Sequence, residues 1–310
     1  YPNLYIMLLG ESGLGKGYPV NLAKRLVTEA NVTRVIAGRS SIQAIIKELA
    51  TTRTVEGKTP ISDSRGFIIN GELSTAIIAD PDALTILTDL YDGNYNKVWT
   101  NLLKGDGPEK LKNPYITTLF GSSPAHFYDS IPQANIEGGY IGRNLIIYEE
   151  KRSQDLDLLD NSTDKDDMFE SYIAPKYVPH LVDIGSKKGP IIPNEDARNK
   201  FNDWRRKWRA SQGADKTGFF NRVPDHVLKL SMCLSLAEMD FNGEITQVHI
   251  EEAISKVTQL IYANKRTVEG RGPDPLAAAT KNVLDHLLAA DNQTLPRKVL
   301  LWKGYGNYNS

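Results

Sequence analysis

At 310 residues the chain is long enough for one large α/β domain and a smaller appendage. Its 37 Lys and Arg against 38 Asp and Glu leave a net charge of −1, so no global field recruits nucleic acid and such binding needs a local basic patch. The one cysteine, Cys233, lies in an apolar helical stretch and excludes a disulfide framework; no apolar run approaches the roughly 18 residues of a membrane span, so a cytoplasmic chain without membrane contact is expected.

The first element is an apolar strand, Leu4-Tyr5-Ile6-Met7-Leu8-Leu9. It breaks into Gly10-Glu11-Ser12-Gly13-Leu14-Gly15-Lys16-Gly17, and a helix from about Val20 to Glu29 follows. This matches the phosphate-binding pattern G-x-x-x-x-G-K-[ST] at every position but the last. Glycines let backbone N–H groups turn around phosphates, the helix points its positive end at them, and the lysine neutralises the outer charges. ATP is the expected ligand. A tight strand-to-helix turn with an exposed lysine would read the same way. Gly17 stands where a Ser or Thr hydroxyl normally holds Mg²⁺, and glycine has no ligand atom to offer.

Strand and helix signals then alternate. Arg34–Gly38 reads as a short strand, and Ser40 or Ser41 can cap a helix whose Ile42, Ile45, Ile46 and Leu49 share one face. Phe67-Ile68-Ile69-Asn70 is a compact strand, and Pro81 restarts a helix through Leu84, Leu87 and Leu90. Ile116–Phe120 and Leu145–Tyr148 are two further strands. The pattern predicts an α/β fold: a P-loop NTPase three-layer core with a central, mostly parallel sheet over residues 1–150.

An acidic connector over 151–167 leads to a helical lid region over 168–270. Its helices are expected at Pro193 to Arg209, with Asn194 near the cap, at Pro224 to Met239, and after Thr246. Residues 275–310 resemble the front half of a winged helix, with a plain helical appendage as the alternative. Because the chain begins at Tyr1 without Met and stops at Ser310 in what reads as mid-domain, it is expected to be an excised part of a longer protein.

An ATPase needs a group that orients water, at the end of the strand next to the phosphate loop. Phe67-Ile68-Ile69-Asn70-Gly71-Glu72 keeps the glutamate but puts glycine where a metal-handling aspartate is usual. Glu72 is therefore the candidate catalytic base, and helix capping is its alternative. Asn70 or Asp63 could compensate for the missing ligand, so the metal ligands remain open. Ser122, with Ser123 after it, is placed to sense a γ-phosphate, although Ser and Pro also suit a turn. Arg143 precedes the last strand and could reach across a subunit boundary to the transferring phosphoryl group; a surface salt bridge is the alternative. Arg222 is a candidate sensor from the lid side. Lys97, Trp99, Lys104, Lys110 and Lys112 form a basic and aromatic stretch suited to gripping a single strand of nucleic acid, or to a bland loop. Trp204 and Trp208, one turn apart, are expected to anchor their helix.

The order of these features resembles the AAA+/RecA-type ATPase module of primase–helicase proteins from phages, plasmids and other mobile elements, many of them catalogued only as a domain of unknown function. The likeness runs from Asn3 to about Lys265. It rests on Gly10 to Lys16, Gly66 to Ser74, Leu87-Thr88-Asp89-Leu90-Tyr91-Asp92-Gly93, Asn113 to Pro124, Gly142-Arg143 and Arg222 to Ala237. The resemblance implies a ring-forming homo-oligomer, hexameric, that uses ATP and Mg²⁺ to move along single-stranded DNA in replication, with an arginine supplied in trans. The departures at Gly17 and Gly71 bear on the rate of hydrolysis. They favour an alternative, an ATP-gated DNA-binding assembly module that hydrolyses weakly.

Overall fold

The computed structural model describes residues 2–51, 64–73, 80, 82–92, 98–103, 107–131, 135, 139–149, 168–211 and 218–263. The acidic connector, the winged-helix-like tail, Asp63, Lys97 and Lys104 lie outside the described residues. The chain is α/β. Five parallel strands form the central sheet: β1 (Tyr5–Gly10), β2 (Arg34–Ala37), β3 (Arg65–Asn70), β6 (Tyr115–Ser122) and β7 (Asn144–Glu149), in the order β2-β3-β6-β1-β7.

Both sheet faces are covered, which is why these strands read as continuous apolar runs. On one face Ile6, Leu8, Phe67, Ile69 and Leu119 pack against Val20, Ala23 and Val27 of α1 (Gly17–Ala30). On the other, Tyr5, Met7, Leu9, Ile68 and Phe120 join a larger cluster. That cluster takes in α2 (Ile42–Ala50), which Ser41 caps by accepting from the Ala44 N–H at 3.3 Å, and α3 (Ala83–Tyr91). A two-stranded antiparallel hairpin, β4 (Val98–Leu103) and β5 (Gly107–Lys112), follows α3. A short helix α4 (Pro124–Ser130) follows β6.

The chain then runs through α5 (Ala174–Ser186), β8 (Ile192–Pro193), α6 (Glu195–Ser211), α7 (Phe219–Ala237), β9 (Glu244–Ile245) and α8 (Gln247–Ala263). Phe201, Trp208, Val223, Val227, Ile250 and Val257 belong to the same buried cluster as the sheet, so α6 to α8 share the core of the strands. Asn194 caps α6, accepting from the Ala197 N–H at 2.9 Å.

Helix α7 begins five residues before the expected start at Pro224, and the reason is specific. Pro224 has no N–H for the Phe220 carbonyl, which would strand that oxygen. The Trp208 indole N–H donates to it instead at 3.0 Å. Trp208 thereby anchors α6 to α7, stacked on Trp204 at 5.8 Å.

Strand order corrects one expectation. The Glu72 strand, expected next to the glycine-loop strand, is separated from it by β6. Buried parallel strands carry interchangeable apolar runs, so local pattern does not encode which lies beside which. The chain leaves β1 through α1 toward the β2 edge, whereas it leaves β6 in the opposite direction, past β1 to β7. The C-terminal ends of β1 and β6 therefore flank a topological switch point, where open α/β sheets form a crevice.

Candidate functional site

The glycine loop, residues 10 to 17, emerges at that crevice. Gly13 and Gly15 both have φ of 85°, a left-handed conformation that side chains resist. A Cβ at Gly10 would press on the Glu149 carbonyl and the Leu14 side chain, each at 3.0 Å. The glycine spacing is thus demanded by the shape of the loop. Lys16 folds back over it and donates to the Gly10 and Glu11 carbonyls at 2.6 and 2.9 Å. Helix α1 starts at Gly17 with no side-chain cap and no acidic residue in its first turn. The positive end of its dipole is therefore unopposed by the helix's own side chains. Glu11, Ser12 and Gly17 are exposed, and Leu14 is half-buried.

Beside the loop, Ser122 ends β6 and pairs in register with Leu9. The two adjacent serines have different fates. Ser123 caps α4, accepting from the His126 N–H at 3.2 Å. Ser122 is only 2 % exposed, and its hydroxyl finds no hydrogen-bond partner among the described residues. A buried hydroxyl without a partner costs about 1–3 kcal/mol, so such groups call for an explanation.

Glu72 follows β3 on the same edge of the sheet and is exposed. It lies two interstrand steps from β1, each about 4.8 Å. The Asn70 side chain donates to the Gly38 carbonyl at 3.3 Å and accepts from the Glu72 N–H at 3.4 Å, so it braces the strand end.

Arg143 and Arg222 lie elsewhere. Arg143 precedes β7, at the N-terminal edge of the sheet, opposite the glycine loop. It is 8 % exposed. Its guanidinium donates to the Gly139 carbonyl at 3.0 Å and pairs with Asp92 at 3.2 Å. Arg222, in the first turn of α7, pairs with the other Asp92 oxygen at 3.3 Å. Both arginines are engaged inside their own chain, away from the loop of that chain. The reason is Asp92, whose carboxylate draws two cations at once; only its place in Leu-Tyr-Asp-Gly marks it in the sequence.

A buried polar group extends this cluster. Neutral His226 donates from Nε2 to the Gly142 carbonyl at 2.9 Å, and its Nδ1 faces the Tyr91 hydroxyl at 3.5 Å. Burial pushes its pKa down to about 4, against the opposing pull of the Gly142 carbonyl. Lys229 donates to Asn3 Oδ1 at 2.6 Å and lies 4.1 Å from the Tyr91 ring centroid. Burial lowers its pKa to about 8, although Asp92 and Asp225 oppose the shift. Sequence periodicity gives no sign of these two residues, which sit within an ordinary apolar helix.

The expected nucleic-acid stretch forms the β4–β5 hairpin. Register pairs Val98 with Lys112, Trp99 with Leu111 and Thr100 with Lys110. Side chains alternate along a strand, so Trp99 and Leu111 turn toward the core while Lys110 and Lys112 stay exposed. The lysines share a face, and the tryptophan is not on it.

A divalent cation beside phosphates takes oxygen ligands in near-octahedral geometry. Gly17 and Gly71 supply none, and among the described residues no group of three His, Cys, Asp or Glu side chains could hold a metal ion. The described residues do not fit a protein-held Mg²⁺. No helix among the described residues is long and apolar enough to cross a membrane. The chain matches no model of a known protein family and no curated protein.

Proposed function

We propose that this chain is the nucleotide-binding ATPase core of a DNA-replication helicase or translocase, with the triphosphate cradled in the crevice between β1 and β6. One observation carries the proposal. A glycine-shaped loop opens α1 at the switch point of a parallel sheet, and the buried Ser122 hydroxyl, without a partner among the described residues, ends the strand alongside. The loop amides and the α1 dipole hold the phosphates. Lys16 exchanges the Gly10 and Glu11 carbonyls for phosphate oxygens, Ser122 donates to the terminal phosphate, and Glu72 orients water. Lys110 and Lys112 contact a single-stranded DNA backbone. The resemblance to ring-forming ATPases supports a hexameric homo-oligomer, in which Arg143 would have to leave Asp92 to serve a neighbouring subunit.

A second reading is an ATP-gated DNA-binding assembly module with weak hydrolysis. It is favoured by the engagement of Arg143 and Arg222 with Asp92. One experiment tests both: ATP affinity and turnover with and without single-stranded DNA, in wild type and Lys16→Ala. The variant should bind ATP about 100-fold more weakly, reflecting loss of a charge-assisted contact. Turnover stimulated by DNA favours the motor, and unstimulated slow turnover the assembly module. Unchanged affinity in Lys16→Ala overturns the nucleotide assignment.

A further inference from the structure

Gly17 and Gly71 stand at the two positions where a phosphate-binding site of this kind usually places its metal-handling side chains. The fold does not demand glycine at either. A Cβ built at Gly17 or Gly71 meets no atom of the described residues within 4 Å, and neither residue takes a left-handed backbone. In contrast, positive φ requires glycine at Gly13 and Gly15, and the Glu149 carbonyl crowds Gly10. At Gly121 a side chain would run into the Gly71 carbonyl. Two glycines in open space are therefore absent oxygens rather than packing solutions.

The described surroundings do not replace those oxygens; Asp63, the other candidate, lies outside them. Asn70 is occupied with Gly38 and the Glu72 amide. Glu11, Glu72 and Glu149 are exposed acids on three separate segments, and no three acids gather among the described residues. Beside those separate acids, the crevice is bordered by donors and a cation: Lys16, the start of α1 with no acid in its first turn, and the Ser122 hydroxyl. Such a set neutralises an anion directly.

We infer that this site, granted the nucleotide reading above, holds a nucleoside triphosphate without a protein-coordinated cation, so its affinity does not depend on magnesium. The ligand is the free triphosphate anion, or the metal complex with only water and phosphate around the ion. Binding is thereby uncoupled from the metal, and the positions that uncouple it are Gly17 and Gly71.

The test is ATP affinity by calorimetry on the whole chain, in magnesium and in EDTA, for wild type and the Gly17→Ser/Gly71→Asp double variant. Wild-type affinity should agree between the two buffers within about threefold. The double variant should bind about tenfold more tightly in magnesium than in EDTA, as the restored oxygens engage the ion. A wild-type affinity that falls about tenfold in EDTA overturns the inference and leaves the nucleotide reading standing. Absence of binding in both buffers overturns both. A double variant no more magnesium-dependent than wild type overturns the assignment to these two glycines.

Discussion

The two edges of the central sheet use polar groups in opposite ways. At the N-terminal edge, Asp92 is shared by Arg143 and Arg222, His226 bridges Gly142 and Tyr91, and Lys229 reaches Asn3. These groups join α7 and the end of α3 to the starts of the strands. At the C-terminal edge, among the described residues, Ser122 has no partner, Glu72 is exposed, and Lys16 rests on carbonyls of its own loop. Charges are paired within the fold on one edge and left available on the other, although Arg143 Nε, Asn144 Oδ1 and the Tyr140 hydroxyl on the first edge also lack partners among the described residues. The contrast teaches that a residue type does not reveal its surroundings: an arginine on the first edge is paired within its own chain, and a serine on the second has no partner among the described residues.

The largest expected effect tests the N-terminal edge by pH. The folded-state pKa of His226 lies below its usual value of 6.5, at about 4, so the folded protein keeps this ring neutral while the unfolded chain protonates it. Its contribution is fully present above about pH 6.5 and is lost as pH falls toward 4, by up to about 3 kcal/mol. Urea denaturation across that range should show the slope, and His226→Gln should flatten it. A wild-type profile without the slope would place this imidazole in contact with water.

Arg143→Ala comes next. It removes a nearly buried guanidinium with a carbonyl and a carboxylate partner. The half-exposed Asp92 keeps Arg222, so the loss should be about 2 kcal/mol of unfolding free energy. ATP affinity of the single subunit should not change. A drop in that affinity would break the contrast by moving Arg143 into the nucleotide site.

The smallest effect is the most discriminating. Ser122→Ala deletes a hydroxyl that makes no hydrogen bond among the described residues, so stability should stay level or rise slightly. ATP affinity should fall by about 1 kcal/mol, roughly fivefold. Destabilisation beyond about 1 kcal/mol in thermal melts would mean that the hydroxyl is spent on folding after all.

Legibility followed distance along the chain. The β1 strand, the glycine loop, Lys16 and the caps at Ser41 and Asn194 are all visible in the sequence, because each depends on neighbours within a few positions. Ser122 and Ser123 were both visible in the sequence, but that Ser123 caps α4 while Ser122 is buried without a partner among the described residues was decided by the structure. The early start of α7 was hidden because the carbonyl opposite Pro224 is satisfied by Trp208 from another helix. Trp99 and its lysines look interleaved in sequence, and strand alternation separates them.

The sequence by itself determined the class of fold and the conformation of the loop, since apolar runs, backbone-permissive glycines and capping side chains act locally. Tertiary structure alone decided that β6 stands between β1 and β3, because parallel buried strands present equivalent apolar faces. It also decided that Arg143 and Arg222, 51 and 130 positions from Asp92, converge on that one carboxylate. Attraction between charges depends on separation in space, which the chain sets only when it has folded.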